Sequence, residues 1–257
     1  MYQVDAFASK VFEGNPAAVI IPDRWPDDDL MQKIASENNL SETAFAVNSG
    51  DHYTIRWFTP ELEVDLCGHA TLATAHVLFH HFNHPGEKIQ FHSPRTGKLS
   101  VERSGEALTL NFPTDVLKNV KVPATIAEAL GKEPLKAMKG RTDYLFVYSS
   151  QREVERIKPD YSKLAGAGVR GVIITAPGDN VDFVSRFFAP SAGINEDPVT
   201  GSAHTTLIPY WSRELGKSKL TARQVSARGA ELVCEHLGPR VKISGYAITY
   251  MTGEINY

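Results

Sequence analysis

The sequence predicts an α+β fold of two topologically similar domains, each a curled, mostly antiparallel sheet around a central helix. Three observations carry that expectation. One motif is written twice: Arg56-Trp57-Phe58-Thr59-Pro60 runs on to Cys67-Gly68-His69-Ala70-Thr71, and Arg186-Phe187-Phe188-Ala189-Pro190 runs on to Thr200-Gly201-Ser202-Ala203-His204. The first blocks lie 130 positions apart and the second blocks 133, so the copies differ by a three-residue insertion; a repeat at half the length of a 257-residue chain means two like halves. Runs rich in aromatic and β-branched residues outnumber helical patterns. Finally, each half keeps one helix, late in its order, that is apolar around most of its girth, as a helix enclosed on most sides must be.

Taken in order, residues 2–8, 17–21, 43–47 and 53–58 read as strands. Between them a helix is predicted over 26–38, with acidic residues in its first turn, Leu30, Ile34 and Ala35 at helical spacing, and Asn38-Asn39 at its end. The apolar helix of the first half covers 68–82 and stops before Pro85-Gly86. Strands at 89–92, 98–103 and 107–112 follow, separated by turns at Pro94 to Gly97 and at Ser104-Gly105. Asn111-Phe112-Pro113-Thr114-Asp115 reads as a domain exit, which sets the domains at 1–113 and 114–257, with the last strand free to pack on the first domain. The second half then shows a helix at 123–130, strands at 143–148, 171–176 and 181–188, the apolar helix at 201–215, and strands at 224–227, 230–236 and 240–249.

Composition narrows the function. The net charge is −3, charges are mixed along the chain, and no basic stripe suits a nucleic acid. The two cysteines, Cys67 and Cys234, sit in dissimilar contexts, which suits a reducing cytoplasm better than a disulfide framework. The chain begins in a strand-like run rather than a signal peptide, and no apolar run approaches membrane-spanning length. No phosphate loop, dinucleotide fingerprint, nucleophile elbow or HExxH is present, so neither a cofactor nor a metal is expected. His76, His80 and His84 recur at helical spacing but lack a carboxylate or thiol on their face, and we do not read them as a metal site.

The candidate chemistry gathers where each strand arm turns into its apolar helix. The starts of those helices, at Gly68 and Gly201, have backbone N–H groups without helical partners and a positive dipole end, which together suit a carboxylate. If the two starts meet at one cleft, that cleft is a small-molecule site. Glu42, at the mouth of a strand, has no counterpart in the second copy around residues 169–174; that asymmetry suits a lone acid/base more than a packing role. His69 stands beside Gly68, where a positive charge is unfavourable, so a neutral imidazole is expected. Asp197, Thr200 and Ser202 surround the second helix start and offer a carboxylate and hydroxyls, although a turn-forming aspartate and plain N-caps account for the same residues.

Five ordered segments add a resemblance: Val4-Asp5-Ala6-Phe7, Gly14-Asn15-Pro16-Ala17-Ala18-Val19, Ser41-Glu42-Thr43-Ala44-Phe45, Cys67-Gly68-His69-Ala70-Thr71 and Glu196-Asp197-Pro198-Val199-Thr200-Gly201-Ser202-Ala203. On them the chain resembles the PhzF-like isomerases of phenazine biosynthesis, within the diaminopimelate-epimerase-like fold. The resemblance implies a cofactor-free, proton-shifting isomerase, usually a homodimer, acting on a small carboxylate-bearing substrate between its domains. It implies Glu42, His69 and Asp197 as catalytic residues, with Gly68, Cys67, Thr200, Gly201 and Ser202 holding substrate. Racemases of this fold use two thiols; here Cys67 has Thr200 as its counterpart, which leaves an epimerase using Cys67, or a non-catalytic carboxylate binder, as the alternatives.

Overall fold

The computed structural model describes residues 1–256. It divides into two compact units, Met1–Phe112 with the segment from Lys242 onward, and Pro113–Val241.

The first unit runs β1 (Tyr2–Ala6), β2 (Asn15–Ile20), α1 (Asp28–Asn38), β3 (Glu42–Asn48), β4 (Tyr53–Phe58), β5 (Glu63–Val64), α2 (Gly68–His80), β6 (Lys88–Ser93), β7 (Gly97–Ser104) and β8 (Ala107–Pro113). The second runs β9 (Lys118–Asn119), α3 (Ala124–Leu130), β10 (Lys136–Lys139), β11 (Asp143–Val147), α4 (Gln151–Arg156), α5 (Tyr161–Gly166), β12 (Gly171–Pro177), β13 (Phe183–Ala189), β14 (Ile194–Asp197), α6 (Gly201–Leu215), β15 (Lys219–Gln224) and β16 (Ala230–His236). Strands β17 (Arg240–Gly245) and β18 (Ala247–Thr252) then bring the chain back to the first unit, β17 against β8 and β18 antiparallel to β1.

The repeat reappears as a repeat of pairings. In the first unit β2–β3 is parallel, β3–β4 and β4–β5 antiparallel, β4–β6 parallel and β6–β7 antiparallel. The second unit gives the same series with β11–β12, β12–β13, β13–β14, β13–β15 and β15–β16. The three-residue insertion coincides with a 3₁₀ turn, Pro190–Ala192, that the first copy lacks.

Each repeated arginine holds the loop leading to its helix. Arg56 donates from Nε and Nη2 to Glu63 at 2.7 and 2.9 Å, and Arg186 makes the same two bonds to Glu196 at the same distances. Either acid lies four positions before the residue that caps the following helix. A two-pronged pair of this kind fixes a loop in direction as well as position. The guanidinium also covers the ring two residues on, 5.1 Å over Phe58 and 4.9 Å over Phe188.

Helix α2 is buried from Gly68 through Phe79 and packs against β1, β2, β3, β7 and β18, as its apolar girth requires. Helix α6 stacks Trp211 on Phe183 at 5.7 Å, and the indole Nε1–H donates to Thr175 Oγ1 at 3.0 Å. Its internal Pro209 cannot donate to the carbonyl of Thr205; the backbone N–H of Asp115 does so instead, at 3.1 Å. Helix α1 buries Met31, Ile34 and Ala35 against Phe45 and Phe58.

The structure corrects several sequence expectations. The strand expected at 224–227 instead ends at Gln224, having begun at Lys219, and the strand expected over 240–249 is two strands broken after Gly245. Short α4 and α5 and the two-residue strands were not expected: six residues span under two turns, too few for a periodic signal. Ser150 and Asp160 cap those helices through their side chains. Among the described residues no helix is long and apolar enough to cross a membrane.

Register also identifies the counterpart of Glu42. Thr43 pairs with Phe58 and Val172 with Phe188, so Glu42 corresponds to Gly171. A Cβ at Gly171 would run into Phe187 Cζ and lie 2.8 Å from Asp143 Oδ1. There is no room for a second carboxylate. Gly171→Ala is expected to lower stability by about 1–3 kcal/mol through overpacking, read as a lower urea midpoint at an unchanged slope; an unchanged midpoint would mean that the Phe187 ring gives way freely.

Candidate active site

In the first unit three elements deliver side chains to one point. Glu42 opens β3, Asn15 opens β2, and Cys67 caps α2 with Gly68 and His69 as its first residues. His69 is 3% exposed, and its two ring nitrogens face different partners. Nε2 lies 3.2 Å from Glu42 Oε2, while Asn15 Nδ2 lies 3.1 Å and Cys67 Sγ 3.5 Å from Nδ1. Burial pushes the imidazole down to about 3, so it is neutral at physiological pH. The neutrality expected from the helix dipole is therefore present, with desolvation as its main cause.

Glu42, Cys67 and His69 bring a carboxylate, a thiol and a ring nitrogen within 4.8 Å of one another, the one such trio among the described residues. The carboxylate stands at Nε2 and the thiol at Nδ1. As it stands, the arrangement is a thiol–imidazole–carboxylate chain suited to moving a proton. Of the helical histidines, His76 lies 4.4 Å from His80 and shares the Thr249 hydroxyl with His81, at 3.0 and 2.9 Å, whereas His84 lies against Phe79 and Tyr53.

The second unit builds a different cluster at the matching helix start. Thr200 is the N-cap residue of α6, but its hydroxyl does not cap the helix; it donates to the buried carboxylate of Asp197. The Thr200 N–H donates to Gln224 Oε1 at 2.8 Å, and Gln224 Nε2 returns bonds to the Asp197 carbonyl at 2.7 Å and to Thr200 Oγ1 at 3.1 Å. Thr200 is thus committed inside the protein. Gly201, Ser202 and Ala203 form the first turn of α6, where N–H groups have no acceptor four residues back within the helix. His204 donates from Nδ1 to the Thr200 carbonyl at 2.8 Å, and burial lowers its imidazole to about 4. Opposite Gly171, the acid across the ladder is Asp143, and Arg170 neutralises it with bonds of 2.9 and 3.1 Å.

Sequence reasoning singled out neither Asn15 nor Gln224 as a functional residue. Asn15 lay in a quoted segment without a role of its own, and Gln224 stood at the wrong end of a misplaced strand. Nothing local to either residue announces a partner 54 or 24 positions away.

Comparison with known proteins gives concordant results. Residues 4–253 match the family described as phenazine biosynthesis-like protein, PhzC-PhzF. An uncharacterized isomerase of Pseudomonas aeruginosa is 52% identical over 99% of this chain and 97% of its own length. A crystal structure of a PhzF-family phenazine biosynthesis protein from Enterococcus faecalis superposes with a TM-score of 0.95 at 49% identity, covering 100% of this chain and 98% of that one. A predicted epimerase from Pseudomonas aeruginosa shares the fold, with a TM-score of 0.74 at 20% identity over 99% and 98% of the two chains.

Proposed function

The chain belongs to the phenazine biosynthesis-like family, and on that premise we propose that it is a cofactor-independent isomerase moving a proton along a small carboxylate-bearing substrate, with Glu42 as the proton carrier. Isomerase is the class named for its relatives. The observation that carries the finer reading is the lone Glu42–His69 pair at 3.2 Å, whose counterpart position in the second unit is a glycine with no room for a side chain. Glu42 takes a proton from a carbon activated by the neighbouring carboxylate and returns it elsewhere on the same face. His69, neutral, stands 3.2 Å from the glutamate and brings no charge to it. The N–H group of Gly68 at the start of α2 holds the substrate carboxylate and the charge that grows on it, and the start of α6, at Gly201 and Ser202, offers donors of the same kind. Asp197 assists proton transfer, with Thr200 holding its carboxylate in place.

A screen of cyclic and acyclic amino and hydroxy carboxylates in deuterated water tests this. Proton NMR should show loss of one C–H signal as the product forms, unaffected by exhaustive treatment with a chelator. Tight binding without exchange at any carbon would make the protein a carboxylate binder and overturn the proposal. Inversion of a stereocentre would instead favour an epimerase using Cys67.

A further inference from the structure

We infer that Asn15 is a positioning residue that selects the tautomer of His69, and so decides whether the imidazole serves the Glu42 carboxylate or the Cys67 thiol. The amide nitrogen of asparagine can only donate, so at 3.1 Å from His69 Nδ1 it makes that nitrogen an acceptor. A neutral imidazole has a single N–H, which must then sit on Nε2. That nitrogen is the one 3.2 Å from Glu42 Oε2, and an ionised carboxylate can only accept. Cys67 Sγ, 3.5 Å from Nδ1, meets the same lone pair. A thiol can point its proton there, whereas a thiolate would face a filled orbital. One amide therefore turns the ring N–H toward the side of the carboxylate and leaves the thiol facing the ring lone pair.

Asn15 is held where it can do this. It is fully buried and pairs with Ala6 at the end of the β1–β2 ladder. Gly14 before it has φ 66°, and a Cβ there would collide with the Ala6 carbonyl oxygen. The loop between the strands is tied down by Asp5, whose Oδ2 accepts the Phe12 N–H at 2.7 Å. These contacts give a physical reason for the Asp5 and Gly14 of the two leading sequence segments: they aim Asn15.

The tautomer follows from the Asn15 amide nitrogen facing Nδ1; only its catalytic consequence rests on the function proposed above. Long-range proton–nitrogen NMR of protein labelled with ¹⁵N-histidine distinguishes the two neutral forms and the cation, with His69 assigned by loss of its signals in His69→Gln. The expected pattern is the neutral Nε2–H form, unchanged from about pH 5 to about pH 8. An Nδ1–H pattern or an imidazolium in the unmodified protein would place the Asn15 carbonyl toward the ring and overturn the inference. Asn15→Asp, which substitutes an acceptor, should switch the pattern to Nδ1–H and lower kcat about 10²-fold with KM little changed; if the folded variant keeps the Nε2–H pattern, Asn15 is not the selector. Should the buried carboxylate prevent folding, Asn15→Ser supplies a donor hydroxyl and should keep more of the Nε2–H form than Asn15→Ala. The two readings fail separately. Full turnover in Glu42→Gln alongside the Nε2–H pattern removes the proposed function and leaves the tautomer assignment standing.

Discussion

Replacing Glu42 by glutamine is expected to lower turnover by about 10²–10⁴-fold, the usual contribution of a positioned general acid–base, while the protein folds as before. Glutamine keeps the shape and a neutral oxygen beside His69 Nε2, which lies 3.2 Å from Glu42 in the native pair. It cannot take up a proton. The equivalent position of the second unit holds no carboxylate, because it is Gly171, and Asp143 across the ladder from it is tied to Arg170. Cys67→Ser is the control. It retains a small polar group at the α2 N-cap, 3.5 Å from His69 Nδ1 in the thiol form, and should cost far less activity than Glu42→Gln. Kinetics of both variants on one substrate decide the matter. If the ranking is reversed, and alkylation of Cys67 abolishes turnover, the thiol is the base and the single-carboxylate reading is wrong.

The second large effect concerns pH. Burial holds three histidines neutral: His69 is pushed down to about 3, and His76 and His204 to about 4. All three lie below the free imidazole value of about 6.5, so between the folded and free values the unfolded chain binds more protons than the folded one. Stability is then fully present above about pH 6.5 and is lost as pH falls toward 4, by up to about 1.4 kcal/mol per pH unit for each histidine. Exposed paired carboxylates such as Asp28 and Glu102 are held below their ordinary range by Arg56 and by Lys88 with Lys242, so they add little in this window. Asp143 acts in the opposite sense, since burial raises its carboxyl and protonation favours the folded form. Urea midpoints measured between about pH 7.5 and pH 5 should therefore fall steeply. His76→Gln, outside the proposed catalytic set, should make that slope shallower; a flat profile in the parent protein would show that these imidazoles become charged without cost.

Much of this architecture is legible in the linear chain. The doubled Arg-aromatic-Phe block, the turn after it and the apolar helix are local patterns, and α6 spans the 201–215 expected of it. Glu42, Cys67 and His69 could be singled out because a helix start and a strand mouth each have a recognisable composition, and the repeat itself exposes Glu42 as the odd member. The pairing that makes Gly171 its counterpart is a matter of register. Period-two patterns say which face a residue takes but leave open which residue of the neighbouring strand lies beside it. The misplaced β15 shows the limit, since neither its span nor the role of Gln224 at its end follows from neighbouring residues.

What the sequence determined by itself is most of the longer elements, the duplication and the residue types at the two helix starts, because those depend on side chains within a few positions of one another. Only the tertiary structure decided which groups meet: Asn15 with His69 across 54 positions, Gln224 with Thr200 across 24, and Asp115 with the carbonyl that Pro209 leaves open. A hydrogen bond requires its partners to coincide within a few tenths of an ångström, and that coincidence is set by strand register and packing rather than by the local pattern of the chain.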